Sequence, residues 1–389
     1  MKKTVSFITA FMLFIVVAVS LHFTTGDKLD TNNPEFGTWI NTKKDLSYKA
    51  ISQNIEEDTV VMMGSSEFHH GKKTPYHPTN IFRSIGMNVM CLGAAQNQTL
   101  SHVITLSAIA PKLENKKVVL LLSPSWFSKK GAEGSGFSAR FSESEYEAML
   151  KNENLSIETR EAMADRATEL LEVSPKTHAN IQTTNKIFLS GDASLKDKID
   201  LKINNWITRE KEDINVGVLW KAAGGKKHHK YKANTNFNVP DWDALAEEAD
   251  ASIAGDMNED FHVPNKMYKK KIKPMLDERK GADVNRTYGN SPEYDDLRLF
   301  LDVCKEENIE VLLVMQPVNG WWYDYTGFPK KNRETFVTEV QKVADEYGVE
   351  TCNFFDQCYT PGFLEDIVHP AGKGWVRINE AAYEFFAKA

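Results

Sequence analysis

A three-layer α/β/α fold, with helices on both faces of a parallel sheet, is the fold class this sequence predicts. Two observations carry it. Short apolar runs recur along the chain, each ending in a small or polar residue, and helical patterns separate them. Continuous apolar runs mark strands buried on both faces. Strands that alternate with helices mark a parallel sheet.

The first element stands apart from that rhythm. Lys2 and Lys3 precede residues 4–21, which carry no charge and are rich in Phe, Ile, Val and Leu. About 20 apolar residues suffice for a helix to cross a bilayer. The lysines favour a cytoplasmic N-terminus, which puts everything after it outside the membrane. A cleaved signal peptide has the same pattern, but no clean small-x-small site precedes Asp27, which favours an uncleaved anchor over residues 1–23. Residues 24–45, rich in Asn, Thr, Gly and Lys, read as a polar spacer leading off the membrane.

The strands follow, in a domain expected to run from residue 46 to 389. Residues 59–63 end at Gly64-Ser65-Ser66. Residues 88–92 end at Gly93, residues 117–122 at Ser123-Pro124, residues 310–315 at Gln316-Pro317, and a shorter run, 349–355, at Asp356. Helical patterns cover residues 101–112, 294–308 and 333–347, and a last helix over residues 374–388 packs on the sheet. Residues 128–284 break the rhythm with charged helical patterns at 143–151, 157–173, 195–212 and 242–254, and read as a helical insertion. Its basic stretch, residues 226–232, reads as a solvated loop or a contact for an anionic polymer or lipid headgroup.

Several function classes drop out. A formal net charge of -7 offers no excess of cations for phosphate, so nucleic acid is not an expected partner. No glycine-rich phosphate loop follows a strand, so no organic cofactor is expected. Cys91, Cys304, Cys352 and Cys358 form no CxxC pair; buried or free thiols are expected, with a Cys352–Cys358 bridge left open.

In open parallel sheets ligands gather at the carboxyl ends of the strands, and the candidate chemistry lies there. Ser66, at a strand-to-helix turn, has the exposed hydroxyl of a nucleophile, although a helix cap explains a Gly-Ser-Ser equally well. Serine needs a base, and histidine is the usual one. Asp366-Ile-Val-His369-Pro370 supplies His369, with Asp366 three residues before it to hold the imidazole. Glu67 is expected to cap the helix or to meet a substrate ammonium. Trp126 and Trp322 follow strand ends and are expected to wall a substrate pocket, with core packing as the alternative for each, and Asn319 is expected to make a tight turn that holds that wall and to join the substrate site. His69, His70 and His77 crowd the loop after Ser66, but no set of ligands is complete, so no metal is expected.

The combination of Gly64-Ser65-Ser66 with Asp366-x-x-His369 resembles the SGNH (GDSL-like) hydrolase layout. That resemblance implies Ser66 as nucleophile and Gly93 as an oxyanion-hole donor. The family's third-block asparagine is replaced by Ser123-Pro-Ser125, so Ser125 is the substitute donor. Gly64-Ser-Ser-Glu-Phe68, His77-Pro-Thr-Asn80, Ser123-Pro-x-Trp-Phe127, Asn258-Glu-Asp-Phe261, the Pro317–Gly327 block and Asp366-x-x-His369-Pro together resemble the DltD family over essentially the whole chain. The resemblance implies a membrane-bound acyltransferase that esterifies lipoteichoic acid with D-alanine, supplied through a D-alanyl carrier system and a membrane-bound O-acyltransferase partner. A plain esterase or thioesterase, or a non-catalytic scaffold, are the alternatives.

Overall fold

The computed structural model describes residues 2–227 and 230–388. His228 and His229 of the basic loop lie outside the described residues. Five strands form one sheet: β1 Val60–Gly64, β2 Val89–Gly93, β3 Lys117–Leu122, β4 Glu310–Met315 and β5 Glu350–Asn353. All pairings are parallel, in the order β2-β1-β3-β4-β5.

Side chains alternate across a strand, and here both faces are dry. Val61, Met63, Val118, Leu120, Leu122, Leu313 and Met315 enter one core, with the Thr99–Ile109 and Glu293–Glu306 helices. Val60, Met62, Cys91, Val119, Leu121 and Val314 enter the other, against the Pro78–Ile85 and Gly372–Ala387 helices. Each such side chain contributes roughly 1.5–3 kcal/mol by leaving water. Burial on both faces is why these runs read as unbroken apolar stretches.

The order of the strands fixes where a site can form. From β1 the chain winds outward to β2, then returns past β1 to β3 and continues the other way. The crevice at that reversal opens at the carboxyl ends of β1 and β3, where Ser66 and Ser125 stand.

The insertion packs as part of the domain: Tyr146, Met149, Met163, Ala167 and Leu171 join the same core as the sheet. One expectation needs correction: residues 24–45 are not a free spacer. Leu29, Phe36, Gly37 and Lys44 are buried, and Phe36 packs edge-on against Trp220. Lys44 Nζ donates to Gly37 O at 3.0 Å and to Cys91 O at 2.7 Å. A polar composition hid these contacts, because the polar groups are spent inward on the open edge of β2.

The Lys2–Leu21 helix is exposed along its length and is long and apolar enough to cross a membrane. It runs into a wide turn, His22–Gly26, that packs on the Leu195–Ala222 helix. The four cysteines are free thiols, three of them buried.

Candidate active site

β1 ends at Gly64 because the next turn is tight: a Cβ there would lie 2.5 Å from Glu67 Oε1. The chain then enters a short 3-10 turn, Ser66–His69, which lifts the half-buried Ser66 to the sheet edge. Glu67 turns under it. Its buried carboxylate accepts the Ser65 N–H at 2.8 Å and a bond from Gln316 Nε2 at 3.3 Å. Burial raises the Glu67 carboxyl above its ordinary value, against these hydrogen bonds.

The base arrives from the other end of the chain. Residues 363–371 fold back on themselves: Glu365 N–H donates to His369 O, and Ala371 N–H to Phe363 O, both at 2.9 Å. Inside this loop both Asp366 oxygens lie 2.9 Å from His369 Nδ1, and Asp366 Oδ1 also accepts the N–H groups of Val368 and His369 at 3.0 Å. Nδ1 therefore carries the proton, and Nε2 is left to accept from Ser66 Oγ at 2.8 Å. Burial works to raise the Asp366 carboxyl, but the bond and charge of His369 and the two N–H groups outweigh it and hold it at about 2. For His369 burial favours the neutral ring, yet the hydrogen bond and charge of Asp366, with Glu67 and Glu365 beyond, raise its pKa above 6.5. A serine hydroxyl, an imidazole and a carboxylate thus stand in one hydrogen-bonded line, the arrangement that a serine nucleophile with its base requires.

Ser66 and His369 open on a cavity of about 240 Å³ lined also by Ser65, Glu67, residues 95–98, Ser123, Ser125, Trp126 and Val368. Polar groups dominate the lining. The ring of His70 stacks on that of His369, with centroids 3.7 Å apart, and its Nδ1 is bonded to Glu365.

A family model described as DltD protein matches residues 33–387. The chain belongs to the DltD family. It is 29% identical to Protein DltD of Bacillus subtilis (strain 168) over 384 residues, 97% of this chain and 96% of that one. With Protein DltD of Staphylococcus aureus (strain NCTC 8325 / PS 47) the identity is 27%, over 82% of this chain and 78% of the other. With Protein DltD of Lacticaseibacillus rhamnosus it is 25%, over 86% and 79%. Membership of the DltD family ties the chain to the D-alanylation of teichoic acids.

Against this DltD-family frame the expected site residues divide. Ser66, His369, Asp366 and Glu67 come together, with Ser125 and Trp126 on the cavity wall. Ser125 Oγ bonds Ser123 Oγ at 2.9 Å. Gly93 does not offer its N–H to the cavity; that group donates to Asp45 Oδ2 at 3.2 Å. The reason is strand parity. Backbone groups of Asn88 point to β1, as its carbonyl bonded to Val60 N–H shows, so those of residues 89, 91 and 93 point to the outer edge. Gly93 is small for another purpose: a Cβ there would lie 2.2 Å from Gly64 O.

Asn319 and Trp322 are also elsewhere. Asn319 Oδ1 caps the Gly320–Tyr325 helix through the Trp322 N–H, and its Nδ2 donates to Phe261 O, both at 2.8 Å. Trp322 is buried edge-on against Phe261. Both hold the fold, and neither lines the cavity.

Asn97 stands in the small and polar stretch that ends β2 but was not singled out from the sequence. Asn97 lines the cavity, its Oδ1 fixed by the Ala94 N–H at 3.1 Å. Its Nδ2 has no acceptor among the described residues. Gln96, with φ +78°, makes the sharp turn that brings it there. Position after the β2 end was its one signal.

His70, Asp366 and His369 place three ligand atoms within 4.8 Å of one another. The set does not suit a metal. Both nitrogens of His369 are engaged, by Ser66 and Asp366, and His70 Nδ1 by Glu365. His77 is structural: Nδ1 accepts from Thr79 and Nε2 donates to Phe68 O at 3.1 Å.

Proposed function

We propose that the chain transfers D-alanyl groups to a hydroxyl of lipoteichoic acid, outside the membrane, through an acyl-Ser66 intermediate. The observation that carries the reading is the line Asp366–His369–Ser66, with bonds of 2.9 and 2.8 Å, at the mouth of a polar cavity.

In the first half-reaction Ser66 Oγ attacks the donor's carbonyl carbon and His369 Nε2 takes the hydroxyl proton. The tetrahedral oxyanion is held by donors already in place: the Ser66 N–H at the start of its turn, Asn97 Nδ2 and the Ser125 hydroxyl. As the intermediate collapses, His369 returns the proton to the leaving group and the Ser66 ester remains. In the second half a polymer hydroxyl attacks that ester, gives its proton to His369, and leaves as the D-alanyl ester while Ser66 regains the proton. Asp366 stays ionised throughout and stabilises the imidazolium. The Glu67 carboxylate on the cavity wall is the counter-charge for the D-alanyl ammonium.

The Lys2–Leu21 helix anchors this chemistry with its N-terminus in the cytoplasm. A membrane-bound O-acyltransferase partner and the D-alanyl carrier system deliver the acyl group.

The test is single replacement of Ser66, His369 and Asp366 by Ala, with D-alanyl ester on the cell envelope as the readout. Loss of ester in each variant, with the protein still present in the membrane, supports the reading. Wild-type ester in all three overturns it, and ester lost only on removal of the whole chain assigns a scaffold instead. Rapid release of free D-alanine by the purified chain, without ester on polymer, assigns a hydrolase.

A further inference from the structure

The Leu195–Ala222 helix is 28 residues long. In its first half Leu195, Ile199, Ile203, Trp206 and Ile207 are exposed by 76%, 50%, 54%, 68% and 54%. Residues three or four apart share one helix face, so these side chains form a single stripe. A stripe of this size left in water marks a surface with a partner.

The second half of the helix says which partner. The same row continues through Glu210, Ile214, Gly217 and Lys221, and there it seats the turn that follows the N-terminal apolar helix. His22 Nδ1 bonds Glu210 Oε1 at 2.7 Å, and Lys221 Nζ bonds Thr24 O. A Cβ on Gly26 would lie 3.3 Å from Ile214, and one on Gly217 would lie 2.5 Å from Thr25 O. The Lys2–Leu21 helix therefore departs from the face that, further along, carries the exposed stripe.

We propose that this stripe lies in the lipid–water interface of the membrane that the Lys2–Leu21 helix enters. The inference rests on that helix being the anchor. Trp206 is the amphipathic ring favoured at such a boundary. Trp206 lines, with Lys198, Lys202, Leu201, Ile187 and Phe188, a groove of about 570 Å³ whose other charged groups are Lys49, Lys151 and Arg209 against Glu147, Glu210 and Asp213. Cations bordering an apolar face are the pattern of a helix lying on an anionic surface. The anchor and the stripe then make two attachments, which set the tilt of the whole domain.

The experiment uses the full chain and its Trp206→Phe variant. Both are reconstituted into vesicles of phosphatidylcholine with a minority of phosphatidylglycerol, the acyl chains brominated near the headgroup or near the methyl end. The difference in emission between the two proteins isolates Trp206. Headgroup-end bromine should quench that component at least about two-fold more than methyl-end bromine, as the depth of an interfacial helix requires. Ile199→Asp with Ile203→Asp, at exposed positions outside the core, should abolish the quenching. Protein that floats with the vesicles but shows Trp206 unquenched overturns the inference and spares the anchor. Equal or stronger quenching from the methyl end overturns it too, because the helix is then immersed. Protein that does not float overturns the anchor and this inference with it.

Discussion

The imidazole of His70 lies flat on that of His369, with 7° between the ring planes and 3.7 Å between centroids. His70 is in turn held by Glu365, so the base of the candidate site has two supports: Asp366 at its edge and His70 on its face. Replacing His70 by Ala should leave the Asp366 bond intact but let the ring tilt. A displacement near 1 Å at a reacting group costs about 100-fold, so transfer should fall between about 10- and 100-fold. The rate of D-alanyl ester formation measures it. Unchanged turnover would make the stack incidental.

The pH profile should be set by one group. On the proposed mechanism His369 acts as a base only when neutral, and its pKa is raised above 6.5. Activity should therefore fall as the pH drops through a value above 6.5. Asp366, held at about 2, adds no second limb in that range. Asp366→Asn should move the limb to lower pH and reduce turnover by about 10⁴-fold. Stability has opposite senses for the two partners. The His369 contribution is full below pH 6.5 and lost as pH rises through its raised value. The Asp366 contribution is full above 3.8 and lost as pH falls through about 2. Thermal unfolding against pH separates the two.

Asn97→Ala removes a donor while Asn97 touches neither Ser66 nor His369 by any hydrogen bond. The expected loss is about 10²–10³-fold in turnover, the usual size for one oxyanion donor. Labelling of Ser66 by a fluorophosphonate should slow as well, since its addition passes through the same charge. An Asn97→Ala chain with wild-type turnover would move the hole to Ser125 and the backbone.

Asp45→Ala should act on stability first. It strips the acceptor from Gly93 N–H and the carboxylate 3.5 Å from buried Lys44 Nζ. Breaking a buried pair costs about 3–5 kcal/mol; two carbonyls still hold Lys44, so about 3 kcal/mol is expected. Thermal unfolding of the full chain in detergent measures it.

How much could be read from sequence follows from where each residue's partners lie. The strands were legible because both faces are buried and the runs are unbroken. The contact of Ser66 with the Asp366–His369 pair could be anticipated because a strand end and a three-residue spacing are local signals. Gly93 was misjudged because the direction of a strand N–H depends on register parity, which a run of apolar residues does not encode. Asn319 and Trp322 follow a strand end as faithfully as Ser66 does, but the Phe261 carbonyl that captures Asn319 belongs to the distant insertion. Asn97 depends on the left-handed turn at Gln96, which no composition announces.

The segment after the N-terminal apolar helix has a last consequence. β2 is an edge strand, and edges invite other chains to add strands. Here the outward carbonyl of Cys91 is taken by Lys44, and Gly37 lies so close to Val89 O that a Cβ would stand 2.6 Å from it. Residues 37–45 therefore work as a cover strip against strand addition. A chain trimmed to begin after Asp45 would keep the Ser66–His369–Asp366 contacts yet bare a sticky flank, and would be prone to stack edge to edge with its neighbours.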